Sequence, residues 1–368
     1  MREEKQIERI IGKKILRMEK RELEGISSIN NLVALKRCGI YRIEVTFEDG
    51  SSSELLMKIK SNNVIKNGIN LVSGKDFRLM KEMALHKKVL GYDKSYLRED
   101  ILYRGIDPSL KKDMIDYCGC FTDRRSHTRN LLFKYYDWEV QKPAAADLWE
   151  VLEHILPFHV RYMGREAEAA ELQLNRYTSR DYDKARPCLR MMFDLREEEN
   201  HRTYGAERVR ELHSFIERIH EEEARYSAFK TFTHNDFSAR NFFVRGEEVL
   251  FYDFELACYQ IPEHDVAELL IYECGTATDE EIREILHRYY CRLRESSPYD
   301  LSEAEYHERL LFCVREFVVN RLSLLRIVSE SIEIDFIEQL LINTNRLLDL
   351  FQQKECEGGL SSTRNWRS

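Results

Sequence analysis

Two aspartates and an asparagine in this sequence have the types and spacing that phosphoryl transfer requires. The stretch Thr231 to Asp265 contains His234-Asn235-Asp236, then Asn241, then Asp253-Phe254-Glu255. Between Asn241 and Tyr252 lie two short apolar runs joined by Arg245-Gly246-Glu247-Glu248, the pattern of two strands and a tight turn. Folding that hairpin brings Asp236, Asn241 and Asp253 to one edge. Transfer of a phosphoryl group needs metal ions to neutralise phosphate charge and a carboxylate to receive the proton of the attacking hydroxyl. Magnesium takes hard oxygen ligands, which Asp253 and the amide oxygen of Asn241 offer. Asp236 is then the candidate base. Each element alone is common in loops, but chance does not readily supply all of them with strands where the chemistry needs strands.

The spacing H-x-D-x-x-x-x-N followed by D-F resembles the kinase catalytic loop and metal-binding turn. His-Asn-Asp in place of H-R-D, and Asp-Phe-Glu in place of D-F-G, resemble the aminoglycoside phosphotransferase and choline kinase superfamily. The resemblance implies an α+β, protein-kinase-like two-lobe fold, with a small antiparallel-sheet N-lobe and a larger, mainly helical C-lobe. It implies transfer from ATP with Mg2+ to a hydroxyl of a small molecule. It also implies that Asp265, after Ile261-Pro262-Glu263-His264, supports the catalytic loop from a helix start.

The elements that must hold these groups can be placed in order. Glu3 to Ile11 reads as a short helix. Lys14 to Leu23, Asn31 to Lys36, Tyr41 to Phe47 and Ser53 to Lys60 read as strands, with a turn at Glu48-Asp49-Gly50. Lys58 takes the place of the strand lysine that reaches nucleotide phosphates, and Lys60, on the same sheet face, is its rival. Gly39 is the preferred glycine of a poor phosphate-covering loop, and Gly25 is the other candidate. That weakness leaves GTP open beside ATP. Phe77, Met80, Ala84, Leu85 and Val89 recur at helical spacing, and Glu82 on that helix is the expected partner of Lys58. Ser109 to Thr128 reads as a polar loop. Leu131 to Tyr136 reads as a strand, and the backbone of Lys134, Tyr135 and Tyr136 is the expected hinge against a nucleotide base. Pro143 with Ala144-Ala145-Ala146 marks a helix start. The lobe boundary is therefore expected at 138/139, giving an N-lobe of 1–138 with the hinge and a C-lobe of 139–368.

The remainder reads as helical. Leu148, Val151, Leu152, Ile155 and Leu156 share a face, which Pro157 ends or kinks. His159 reads as a packed structural histidine. Thr278/Glu281 and Ser302/Glu305 are capping boxes opening two further helices, and Phe336 to Phe351 makes the last.

Composition bounds the function. The chain has 368 residues, 43% hydrophobic and 33% charged, enough for two lobes. A net charge of -8 argues against nucleic acid as a partner. No apolar run is long enough for a membrane span, and the start Met1-Arg-Glu-Glu-Lys is no signal peptide. Nine scattered cysteines fit reduced thiols and a cytoplasmic setting. A protein kinase fits less well, because no A-P-E-like segment is found and Asp265 follows Asp253 closely. A nucleotide-binding pseudokinase or scaffold is the alternative of another class; the poor glycine loop favours it and the intact Asp236, Asn241 and Asp253 oppose it. The expected acceptor is a small cationic hydroxyl compound, aminoglycoside- or choline-like. The net charge and the residues Asp137, Trp138, Glu139, Trp149 and Tyr259 carry that expectation.

Overall fold

The alternation read in Tyr41 to Phe47 does build a half-buried strand. The computed structural model describes residues 3–23, 38–61, 68–70, 73, 76–123, 125–137, 147–297, 301–330 and 334–357. A helix, α1 (Glu3–Ile11), precedes strands β1 (Ile15–Glu22), β2 (Gly39–Phe47) and β3 (Ser52–Ser61). With β4 (Tyr117–Asp123) and β5 (Thr128–Lys134) these form an antiparallel sheet in the order β1-β2-β3-β5-β4. The expected strand 31–36 and Gly25 lie outside the described residues.

The period of two in β3 decides what its lysines meet. Leu55 and Met57 point to one side, where they join Ile7 of α1, Ile43, Val45, Phe47 and Leu132 in a small core. Lys58 and Lys60 therefore point to the other side, toward the cleft.

One reading of the segment before the hinge is corrected. Residues 109–128 are not an open loop: Pro108–Asp113 forms a 3-10 turn and Tyr117–Asp123 is strand β4. As an edge strand β4 is half-buried along most of its length, so it shows no apolar alternation. Ahead of it in the chain are a short helix, α2 (Phe77–Leu85), and a second one, α3 (Ser95–Gly105). Helix α3 has no apolar stripe because it is enclosed on several sides and buries Arg98, Glu99 and Asp100 beside Leu102 and Tyr103.

The large lobe is mainly helical. Helix α4 (Asp147–Tyr162) runs through Pro157 without ending there, since Phe158, His159 and Tyr162 beyond the proline are anchored in the core. It is followed by α5 (Glu166–Glu171), α6 (Ser179–Asp194) and the long α7 (Glu197–Tyr226), which kinks at Gly205. Short strands β6 (Thr231–Thr233) and β9 (Cys258–Gln260) pair, and enclose the hairpin of β7 (Phe242–Arg245) and β8 (Glu248–Phe251). Then come α8 (Glu263–Glu273), α9 (Asp279–Ser296), α10 (Glu303–Phe317), a π turn at Val318–Leu322, α11 (Ser323–Val328) and α12 (Ile337–Glu357). Both expected capping boxes are formed, at Thr278/Glu281 and Ser302/Glu305. No helix among the described residues is long and apolar enough to cross a membrane.

Candidate active site

The candidate catalytic loop lies between β6 and β7, and its backbone is held by carboxylates of one helix. Asp265 accepts from the amides of His234 (2.8 Å) and Asn235 (2.9 Å). Glu268 accepts from Phe237 N at 2.8 Å, and Glu273 from Ala239 N at 2.8 Å. Positions 265, 268 and 273 fall on one side of α8, so a single rigid helix shapes the loop. Asp265 is in turn held by His159 Nε2 at 3.0 Å, and His159 Nδ1 meets the Tyr289 hydroxyl at 2.5 Å. His159 and Asp265 are fully buried, which fits a supporting role for both.

The hairpin does bring the three polar groups to one edge. Asn241 donates its amide to the carbonyl of Asp236 at 2.6 Å, and its own carbonyl accepts from Tyr252 N at 3.0 Å. A carbonyl oxygen can only accept, so the Asn241 nitrogen faces Asp236 and its side-chain oxygen is turned away from the loop. Asn235 and Asp253 occupy the left-handed region, with φ 57° and 61°. Such backbone costs energy in a non-glycine residue and persists where the surroundings enforce it. Here Asn235 is enforced through Asp265, through its own side chain to Leu256 O at 3.1 Å, and through Arg321, which donates to its carbonyl at 2.8 Å.

Across the cleft, Lys58 contacts Asp253 Oδ1 and lies 3.2 Å from Glu99. Lys60 lies 2.5 Å from Glu99, 2.6 Å from Glu255 and 3.7 Å from Asp253. The expected Lys58–Glu82 pair is not formed. Glu82 sits on α2, which packs against α6, and its carboxylate is 3.3 Å from His86. Glu99 of α3 meets the lysines instead, because α3 and not α2 lies against the sheet face that Lys58 and Lys60 share. Burial alone would strip the Lys60 ammonium, but Glu255, Glu99 and Asp253 outweigh it and raise its pKa. Burial likewise opposes the Asp253 carboxylate, and Lys58 and Lys60 reverse the balance, so its pKa falls well below the usual range. The residue before Glu99 also serves the site. Arg98, 1% exposed, donates to the carbonyls of Glu255 and Gln173, tying the turn after Asp253 to α3. Neither Arg98 nor Glu99 stands in a motif; only their unusual burial reveals them.

The other expected nucleotide contacts sit around this cluster. Gly39 opens β2 opposite Ile59, and the next pair is Ile40 with Lys58. A Cβ on Gly39 would stand 3.3 Å from Glu22 Oε1. Lys134 ends β5 with its amide on Asp116 O at 2.9 Å, and the Tyr135 amide is on Glu54 O at 3.1 Å. The Tyr136 hydroxyl donates to Asp116 at 2.9 Å. Three of the residues named for a cationic acceptor lie among the described residues. Tyr259 is 5% exposed within β9, Trp149 lies beneath Arg288 at 4.2 Å, and Asp137 is exposed. Trp138 and Glu139, like the 138/139 boundary, lie outside the described residues.

The donor set suits magnesium. Asn241 and Asp253 offer hard oxygens, and no group of three or more His, Cys, Asp or Glu among the described residues could hold a metal. A protein contribution of one or two carboxylate or amide ligands, completed by phosphate and water, is how magnesium is usually held at phosphate sites. The Lys58 ammonium against Asp253 shows that this carboxylate takes a cation.

Residues 150–304 match the model of APH, the phosphotransferase enzyme family. That stretch is similar to the phosphotransferase enzyme family. It contains the catalytic loop, the hairpin and α8. The choline kinase from Cryptosporidium parvum Iowa II is similar in structure at 13% identity and TM-score 0.50, covering 93% of this chain and 91% of that one. The choline kinase LicA from Streptococcus pneumoniae has 13% identity, TM-score 0.49 and coverage of 95% and 97%. The spectinomycin phosphotransferase APH(9)-Ia, in complex with ADP and spectinomycin, has 11% identity, TM-score 0.48 and coverage of 95% and 98%. No curated protein is matched by this sequence. The fold is the protein-kinase-like two-lobe fold expected from the motif, and the chain is similar to the expected superfamily.

Proposed function

We propose that the protein is an ATP- and Mg2+-dependent phosphotransferase acting on a hydroxyl of a small molecule, with Asp236 as the base. The family match and the kinase-like fold support a small-molecule kinase. The convergence of Asp236, Asn241 and Asp253 at one hairpin edge, facing Lys58, is the observation that carries the reading. Asp236 would take the proton of the acceptor hydroxyl. The acceptor oxygen would then bond to the γ-phosphorus as the bond to the β–γ bridging oxygen breaks, releasing ADP. Lys58 would hold the α- and β-phosphates, with Glu99 rather than Glu82 as the carboxylate that orients it. Magnesium held by Asn241 and Asp253 would neutralise phosphate charge. Gly39 and the Lys134–Tyr136 hinge remain the proposed cover and base contacts, and GTP is the alternative donor.

The reading places the lobe boundary at 138/139 and the enzyme in the cytoplasm, where eight free cysteines among the described residues are at home. A cationic, aminoglycoside- or choline-like acceptor is proposed on the net charge of -8 and on the acidic and aromatic residues Asp137, Trp138, Glu139, Trp149 and Tyr259. The test is phosphoryl transfer from labelled ATP across a panel of amino alcohols, aminoglycosides and neutral sugars, at low and high salt. Asp236→Asn is expected to fold, bind nucleotide and lose transfer by roughly 10²–10⁴-fold. Near-normal turnover in that variant removes Asp236 from the mechanism. Equal use of neutral sugars without salt dependence removes the cationic acceptor and leaves the kinase reading intact.

A further inference from the structure

Arg321 stands outside every motif of this sequence, 85 residues beyond Asp236, yet its guanidinium touches the catalytic loop at two points. Nη2 donates to the carbonyl of Asn235 at 2.8 Å, and Nη1 is 3.4 Å from Asp236 Oδ1. The same Nη1 lies 3.9 Å from Glu268, whose other carboxylate oxygen accepts from Phe237 N. The side chain is 14% exposed. It is presented by the π turn Val318–Leu322, between α10 and α11. A π turn adds one residue to a helix and rotates the downstream helix by about 100°, and such turns concentrate at functional sites. The turn is fixed on its other side. Asn320 donates to Val89 O at 3.1 Å and to Glu316 at 2.7 Å, and Ser323 Oγ donates to Val318 O at 2.9 Å. Consecutive side chains thus anchor the turn and reach the loop.

We propose that Arg321 is a positioning residue for the base, its planar fork setting the direction of the Asp236 carboxylate relative to the strained Asn235 backbone. This rests on Asp236 being the base, as proposed above. A guanidinium holds two acceptors at a fixed angle, which an ammonium does not. Tyr92, Tyr177, His264, Glu268, Tyr272 and Glu316 also face Arg321, and several of them line a small cavity behind it. Burial works against the guanidinium there, and Glu268 and Asp236 more than offset it. Arg321 is therefore charged throughout the working range of the enzyme.

The test is the steady-state kcat and KM for ADP release from Mg·ATP by the full-length chain, with water as the acceptor, for wild type, Arg321→Met, Arg321→Lys and Asp236→Asn. Arg321→Met is expected to keep its thermal midpoint within a few degrees and its affinity for Mg·ATP. Its kcat is expected to fall by ~10–100-fold while its KM for Mg·ATP stays within about twofold of wild type. Arg321→Lys keeps the charge without the fork, so its kcat should fall by ~10-fold with KM likewise unchanged. If Arg321→Met folds and its kcat stays within twofold of wild type, or its KM changes as much as its kcat, the proposal is overturned. If Arg321→Met does not fold, Arg321→Lys decides: turnover within twofold of wild type overturns the proposal. Asp236→Asn separates the two claims. Normal turnover in that variant sinks the base assignment itself, whereas loss of turnover there with a normal kcat in Arg321→Met sinks only the role of Arg321.

Discussion

The carboxylate of Glu99 contacts both cleft lysines, Lys58 at 3.2 Å and Lys60 at 2.5 Å, and is 2% exposed. It forms the middle of a buried cluster in which two ammoniums meet the carboxylates of Glu99, Asp253 and Glu255. Asp253 and Glu255 come from the large lobe and the lysines from the sheet of the small lobe, so the cluster also ties the lobes together across the cleft.

Glu99→Gln should therefore do what Glu82→Gln does not. Removing one of three carboxylates leaves two buried ammoniums with less compensation and frees Lys58 to move from its place beside Asp253. The kcat/KM for ATP should fall by ~10-fold or more in Glu99→Gln and stay within twofold in Glu82→Gln. Steady-state kinetics of the two variants side by side check this, and equal effects would discard Glu99 as the lysine partner.

Metal dependence should reside in Asp253 and Asn241. In the wild type, ATP affinity is expected to tighten on adding Mg2+. Asp253→Ala should abolish that tightening, because the remaining hard ligand from the protein is a neutral amide oxygen. Titrations of ATP with and without Mg2+, read by calorimetry, measure it. A variant that responds to magnesium as the wild type does contradicts the ligand assignment.

Asp265 should matter to fold and activity together. It accepts two loop amides and a buried histidine, all out of water. Asp265→Asn replaces an oxygen acceptor by a donor facing donors, so a loss of ~3–5 kcal/mol is expected, the cost of breaking a buried pair. Thr278→Ala, which removes one capping box at the start of α9, should cost ~1 kcal/mol and leave turnover unchanged. Chemical denaturation followed by activity at matched folded fraction separates the two.

Stability should also depend on His264. Burial pushes its pKa down to about 4 from the ordinary 6.5. Between these values the unfolded chain takes up a proton that the native state refuses. The stability present above pH 6.5 is thus lost as pH falls toward 4, by about 3 kcal/mol from this group. Glu268 acts in the other sense. Burial pushes its carboxyl up to about 8, the native state keeps a proton the unfolded chain releases, and stability falls as pH rises from about 4.5 to 8. His264→Leu should flatten only the acid side. Urea unfolding of wild type and variant from pH 4 to 8 tests this, and parallel curves below pH 6.5 would refute it.

Much of this was legible in the sequence because it rests on local rules. Helix Glu3–Ile11, strands β1 to β3, the hairpin after Asn241 and both capping boxes follow from periodicity and turn chemistry over a few residues. The spacing of Asp236, Asn241 and Asp253 is set by a hairpin of the same local kind. Lys58 and Lys60 were recognisable as sharing a face because side chains alternate along a strand.

What the tertiary structure decided is which distant groups meet. Glu99 and not Glu82 faces the lysines because α3, whose charged residues are buried and whose pattern is therefore not amphipathic, packs under the sheet, while α2 packs on α6. Arg98, Glu268, Glu273 and Arg321 reach the site from helices far along the chain. A buried charge leaves no periodic trace in sequence; it is tolerated only where its partner stands, and the partner's place is set by packing across the whole molecule.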